Sequence, residues 1–234
     1  MHVLRLLSRH LLIAALLGGA TTAVLAQGAP TSLIPAPRAA TPAGPTSATT
    51  PNAPAQAKPT VERVNTYLNS LAGLTADFTQ TGPDGRRYDG KLYLSRPGKL
   101  RFEYKPPSPL EIVSDGRSVA VRDRKLNTQD LYLIGQTPLK FLLQDKIDIG
   151  RDSKVVSLVQ QGNDAVLVID DKATIGGTSR IKLVFNNIDM ALKQWTITDP
   201  QGYDTRVQLS NLDLGKRPDA RLFQIQEGRV ETPR

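Results

Sequence analysis

Arg96 is the side chain in this sequence whose placement asks most of its surroundings. In KLYLSRPGKLRFEY it shares alternation parity with Leu92 and Leu94, so a strand through this stretch aims it at the same apolar interior. A guanidinium is neither nucleophile nor base. It carries five N–H donors that need acceptors once they leave water. Two placements are open from the residues alone. Arg96 contacts whatever covers the sheet, or it sits at a rim, solvated or paired with Glu103 or Asp115.

The remaining inventory excludes most catalysis. The chain has no cysteine, and its two histidines, His2 and His10, fall within the first ten residues. The rest of the chain therefore cannot build Ser-His-Asp or Cys-His nucleophiles, His/Cys zinc sites or redox thiols. A carboxylate pair would still serve a hydrolase. The acids do not cluster for one: Asp170 and Asp171 are adjacent and point to opposite faces of a strand, while Asp77, Asp84 and Asp89 flank a turn. No calcium loop or glycine-rich phosphate loop is present, and Gly176-Gly177 reads as a hairpin turn. The expectation is a protein that is not an enzyme, with no metal and no cofactor.

The N-terminus predicts export. Arg5 and Arg9 precede the apolar run Leu11–Ala20, and Val24-Leu25-Ala26 offers a small-residue cleavage site before Gln27. The run is shorter than the roughly 20 residues a membrane span needs. Residues 1–26 are thus expected to be a signal peptide. Residues 27–58, rich in Pro, Ala and Thr, are expected to be a disordered linker, because they bury too little apolar surface to offset their ordering entropy. A domain is expected over 59–227, with a tail over 228–234. Four of the 30 Lys and Arg residues, Arg5, Arg9, Arg38 and Lys58, precede Pro59, which leaves 26 basic against 22 acidic residues. That surplus is spread out and lacks a basic, aromatic-rich cluster, so nucleic acid is not an expected partner.

The elements that must position Arg96 are mostly strands. Val61, Val64, Leu68 and Leu71 predict a helix, capped by Thr60 and ended by Gly73. From Leu74 the period becomes two, and about eleven short strands follow, separated by turns such as Gly82–Gly85 and Ser114-Asp115-Gly116. Leu131 and Leu133 mark one of these strands. TPLKFLLQ interrupts them with a second short helix, which Thr137 could cap and Pro138 could open. One apolar face per strand predicts a mainly β antiparallel sheet that closes into a barrel or splits into a sandwich. Periodicity leaves open whether its helices cover a solid core or a cavity.

FTQ at Phe78–Gln80, GKLYLSRPGKLRFEYKPP, IVSDG at Ile112–Gly116, TPLKFLL at Thr137–Leu143 and LFQI at Leu222–Ile225, in this order, resemble the periplasmic outer-membrane lipoprotein carrier (LolA) family. The resemblance spans most of Pro59–Glu227. It implies a curved, half-open antiparallel barrel covered by a lid of short helices and enclosing an apolar cavity. It also implies a soluble, monomeric periplasmic chaperone. Its partners would be the acyl chains of lipidated proteins, an inner-membrane lipoprotein-releasing ABC transporter, and an outer-membrane acceptor or the outer membrane itself. Arg96 matches the arginine that latches the lid. Leu92, Leu94, Leu100, Phe102, Tyr104 and Ile112 on the sheet, with Val64, Leu68, Leu139 and Leu142 on the lid, become candidate cavity residues, against ordinary core packing. The related acceptor branch is itself lipidated and needs a cysteine, which this chain lacks. The sequence departs from the family after Ser-Asp-Gly, where Arg117-Ser118-Val119 replaces a common aromatic, and in its long linker. A regulatory, lipid-sensing module on the same fold (RseB-like) is the alternative reading.

Overall fold

The computed structural model describes residues 57–226. The expected signal peptide, nearly all of the linker and the tail lie outside the described residues. Helix α1 (Val61–Ser70) comes first, and the Thr60 side chain accepts from the Arg63 N–H at 3.2 Å as its cap. Val64 and Leu68, four apart, are its buried face. The helix ends before Gly73: Leu71 is already extended, and Gly73 opens the first strand opposite Ser95. That glycine is needed for another reason, since a Cβ there would lie 3.0 Å from the Cα of Arg217.

Six strands then run as successive hairpins: β1 (Gly73–Thr81), β2 (Arg87–Ser95), β3 (Lys99–Tyr104), β4 (Leu110–Asp115), β5 (Ser118–Asp123) and β6 (Thr128–Leu133). The chain next crosses to the opposite edge and returns through β7 (Lys154–Gln161), β8 (Asp164–Asp171), β9 (Ser179–Asn186), β10 (Leu192–Thr198) and β11 (Asp204–Asp213). Pairing of β1 with β11 joins the two halves into one antiparallel sheet of 11 strands, ordered β6-β5-β4-β3-β2-β1-β11-β10-β9-β8-β7. The crossing segment, residues 134–153, is a strap between the two sheet edges. It carries a 3-10 turn (Ile134–Gln136) and two single-turn helices, α2 (Lys140–Leu143) and α3 (Ile149–Asp152).

The sheet is strongly curved. Phe102 on β3 and Trp195 on β10 are four strand steps apart, which would be about 19 Å in a flat sheet, yet their ring centroids lie 6.3 Å apart. Phe78 packs edge-on against Phe102 and Tyr104, each at 5.1 Å, and anchors the concave face. Gly90 makes room for that ring.

Two expected local features differ. Thr137 does not cap α2; its hydroxyl donates to the Ile134 carbonyl at 2.9 Å and closes the preceding turn. Leu131 and Leu133 are exposed, because their neighbour Tyr132 pairs with Val119 and takes the concave side of this edge strand. The β6 parity is thus opposite to what its leucines imply.

A Cβ added at Gly90 would sit 2.6 Å from Phe78 Cε1 and collide with the Glu103 carbonyl. Gly90→Ala is expected to lower stability by about 1–3 kcal/mol or more, measured by urea unfolding; an unchanged midpoint would contradict this packing.

Candidate functional site

Between the concave face and the strap lies a cavity of about 130 Å³. It is lined mainly by apolar side chains; its exposed lining residues are Gln136 of the strap and Pro200, Gln201 and Tyr203 of the β10–β11 turn, with half-buried Pro83 of the β1–β2 turn, and these mark its mouth. Strap residues 136–139 form part of its wall. Four of the expected lining residues, Phe102, Tyr104, Ile112 and Leu139, border it. The other six, Leu92, Leu94, Leu100, Val64, Leu68 and Leu142, are no more than 1% exposed and form closed core. They lie where α1 and the strap pack directly on the sheet, whereas the cavity runs from β3–β5 across to β10–β11. Leu110, Val119, Trp195, Ile197 and Val207 also line it. Alternation across Leu192–Thr198 and Tyr203–Leu209 carries that information, and Trp195 is the single tryptophan of the chain.

Polar groups also stand in this wall, Tyr104 and Tyr132 among them. Tyr104 donates to Gln80 Oε1 at 2.7 Å, and burial raises the phenol pKa well above its ordinary value. Burial, with the nearby Asp130 charge, pushes Tyr132 up to about 12. Both phenols therefore keep their protons at neutral pH.

The cover is held by polar contacts to main-chain atoms. Arg96 is 8% exposed. Its Nη1 donates to the Leu68 carbonyl in α1. Its Nη2 donates to the strap carbonyls of Gln144 (2.7 Å) and Asp145 (2.9 Å). The Nε finds no partner among the described residues. Burial pulls this guanidinium below its ordinary pKa, and the Asp145 charge opposes the shift. Asp115 is occupied elsewhere, accepting from the Arg117 and Ser118 N–H groups of its own turn. Arg96 therefore binds α1 and the strap together, above the β2–β3 turn. The same turn donates from Gly98 N to the Leu143 carbonyl at 2.8 Å.

Further contacts make α1 and the strap one unit. Asn69 bonds Ile147 in both directions, Nδ2 to O at 2.7 Å and N to Oδ1 at 2.9 Å, and Asn65 Oδ1 accepts from Ile149 N at 3.0 Å. Arg63 ties the start of α1 to the Asn187 carbonyl at 2.8 Å, in the β9–β10 turn. On the far side, Lys140 Nζ lies 2.7 Å from Asp171 Oδ1 at the end of β8, with both side chains buried. Phe141 packs against Trp195 at 5.9 Å. The strap is thus clamped at separate points over an apolar cavity.

The sequence model described as "Outer membrane lipoprotein carrier protein LolA" matches residues 69–226. The chain belongs to the LolA family. It is 32% identical over 165 residues to an outer-membrane lipoprotein carrier protein of Chromobacterium violaceum, covering 68% of this chain and 78% of that relative. It is 29% identical over 180 residues to the corresponding protein of Methylococcus capsulatus, covering 70% and 81%. Among solved structures, a LolA superfamily protein from Nitrosomonas europaea aligns with a TM-score of 0.39 at 10% identity, over 71% of this chain and 98% of that one. The region matched by the LolA model holds all eleven strands and the strap. No helix among the described residues is long and apolar enough to cross a membrane.

The buried pair on the strap sets a prediction. Asp171 Oδ2 lacks a partner and Oδ1 otherwise accepts only from the Ala173 N–H, so Lys140→Met leaves a buried carboxylate without its counter-ion and is expected to cost about 3–5 kcal/mol. Adding Asp171→Leu should recover most of that loss in urea unfolding. Equal stability of the single variant and the parent would contradict the placement of this pair.

Proposed function

We propose that this protein is a non-enzymatic periplasmic carrier of lipoproteins. Its cavity receives acyl chains of lipoproteins released by an inner-membrane ABC transporter, and it delivers them to an outer-membrane acceptor or to the outer membrane itself. The observation that carries this reading is the apolar cavity closed by a strap that Arg96 clamps through main-chain carbonyls. Family membership and the names of the relatives support it.

The energetics fit the task. Burying one methylene is worth about 0.8 kcal/mol, so a lipoprotein with two or three chains does not cross water unaided. A cavity of about 130 Å³ resembles the engineered apolar cavity of about 150 Å³ that admits benzene. It accommodates a segment of one chain. Full loading requires α1 and the strap to move outward, and the bonds of Arg96 are among those that movement breaks. Their re-formation favours the empty state and helps expel the cargo at delivery. Arg96 thus acts as the latch, with Leu139, Phe102, Tyr104 and Ile112 in the wall that meets the chains. Leu92, Leu94, Leu100, Val64, Leu68 and Leu142 become accessible only as the cover lifts.

The test is a release assay with spheroplasts depleted of their own carrier. Purified protein is expected to bring an outer-membrane lipoprotein into the supernatant as a one-to-one complex. Arg96→Leu is expected to take up cargo but to retain it when outer membranes are added. If neither folded protein releases any lipoprotein, the carrier reading is wrong.

A further inference from the structure

Gln80 ends the FTQ segment and faces inward with Leu74, Ala76 and Phe78, in a position where an apolar residue would complete the wall. It is 8% exposed and lines the cavity, as does Tyr104. The phenol donates to Gln80 Oε1 at 2.7 Å, while the amide Nε2 donates to no protein group among the described residues. The pair owns three N–H and O–H protons and spends one on itself. This surplus survives exchange of the amide O and N, because the amide then donates to the phenol oxygen and the phenol proton is released. In either orientation, donors face a cavity whose neighbouring wall is Phe102, Ile112, Trp195 and Val207.

Water can satisfy these donors while the cavity is empty. A hydrocarbon chain that displaces the water strands them, which is unfavourable. An acceptor carried on the ligand avoids that penalty. The position of the pair says which acceptor. Gln80 is the second-last residue of β1, next to the turn that holds Pro83 at the mouth. A ligand with its tails inward would place there the first atoms beyond the hydrocarbon.

We infer that Gln80 and Tyr104 form a polar subsite at the mouth of the cavity for the carbonyl oxygen of an ester- or amide-linked acyl chain. The subsite rests on the carrier reading and deepens it. The apolar wall accepts any chain, and this pair registers the chain by its linkage, with the tails inside and the polar head outside. The raised pKa of Tyr104 keeps its donor available at neutral pH.

The probe is a synthetic lipopeptide with two ester-linked palmitoyl chains, compared with its ether-linked dihexadecyl analogue, which has no carbonyl on the chains. Binding is measured by displacement of a fluorescent fatty acid. The protein is expected to bind the ester about five- to tenfold more tightly, the worth of one net hydrogen bond. Gln80→Leu/Tyr104→Phe removes every donor of the pair and should bind the two probes alike. Gln80→Leu keeps the phenol O–H and Tyr104→Phe the two amide N–H donors; each keeps part of the preference and serves where the double variant does not fold. Equal binding by the parent, or a preference that survives in the folded double variant, overturns the subsite. Failure of both probes to bind overturns the carrier reading beneath it. A diester phosphatidylglycerol competitor carries the same acceptor, and its affinity relative to the lipopeptide tells which source of ester fills the site. In either case the preference must depend on Gln80 and Tyr104.

Discussion

A guanidinium taken out of water must find acceptors, and Arg96 finds them on α1 and the strap, the parts that cover the concave face. Its bonds go to the carbonyl that ends the buried face of α1 and to two carbonyls of the strap. Among the described residues it forms no ion pair. A carboxylate partner would hold it more strongly than these neutral carbonyls, and its Nε has no partner among the described residues. Because the side chain leaves the sheet at the β2–β3 turn, one residue ties both α1 and the strap to that turn.

Topology explains why there is a strap at all. Six strands run out to one edge, and five run back from the other. The connection must therefore pass over the concave face, since the strands it joins are at opposite edges. A segment with α-helices of only four residues cannot hold its own shape. It takes its shape from Asn65 and Asn69 on α1, from Gly98, and from the buried Lys140–Asp171 pair. The Asn65 and Asn69 contacts lie within the cover, whereas Gly98 and Asp171 tie it to the sheet.

Much of this was legible in the sequence. Period-two runs place most strands within a residue or two of their observed bounds, Thr60 caps α1, and the parity of Arg96 turns it inward. What failed had physical reasons. Alternation says which face a residue takes, and on β6 the exposed leucines reverse even that, because an edge strand has cover on one side only. Depth is not local information. Leu92 and Phe102 are directly paired across β2 and β3, yet one is closed core and the other borders the cavity. The difference arises from the curvature that brings β10 over β3. Trp195 and Val207 joined the wall for the same reason, and Lys140 found its partner through a fold-back of 31 residues.

In the proposed carrier, one cover, clamped by a few polar bonds, is closed when empty and lifted by acyl chains. Hydrogen exchange tests this at two amides that bond the sheet turns to the strap: Gly98, bonded to Leu143, and Ile175, bonded to Gln136. Both are expected to be protected in the empty protein and to lose protection on loading with a triacylated lipopeptide, while Ile147 and Ile149, bonded to α1 within the cover, and amides in the β1–β11 pairing stay protected. Unchanged protection of Gly98 and Ile175 in the loaded protein would contradict a lid that moves.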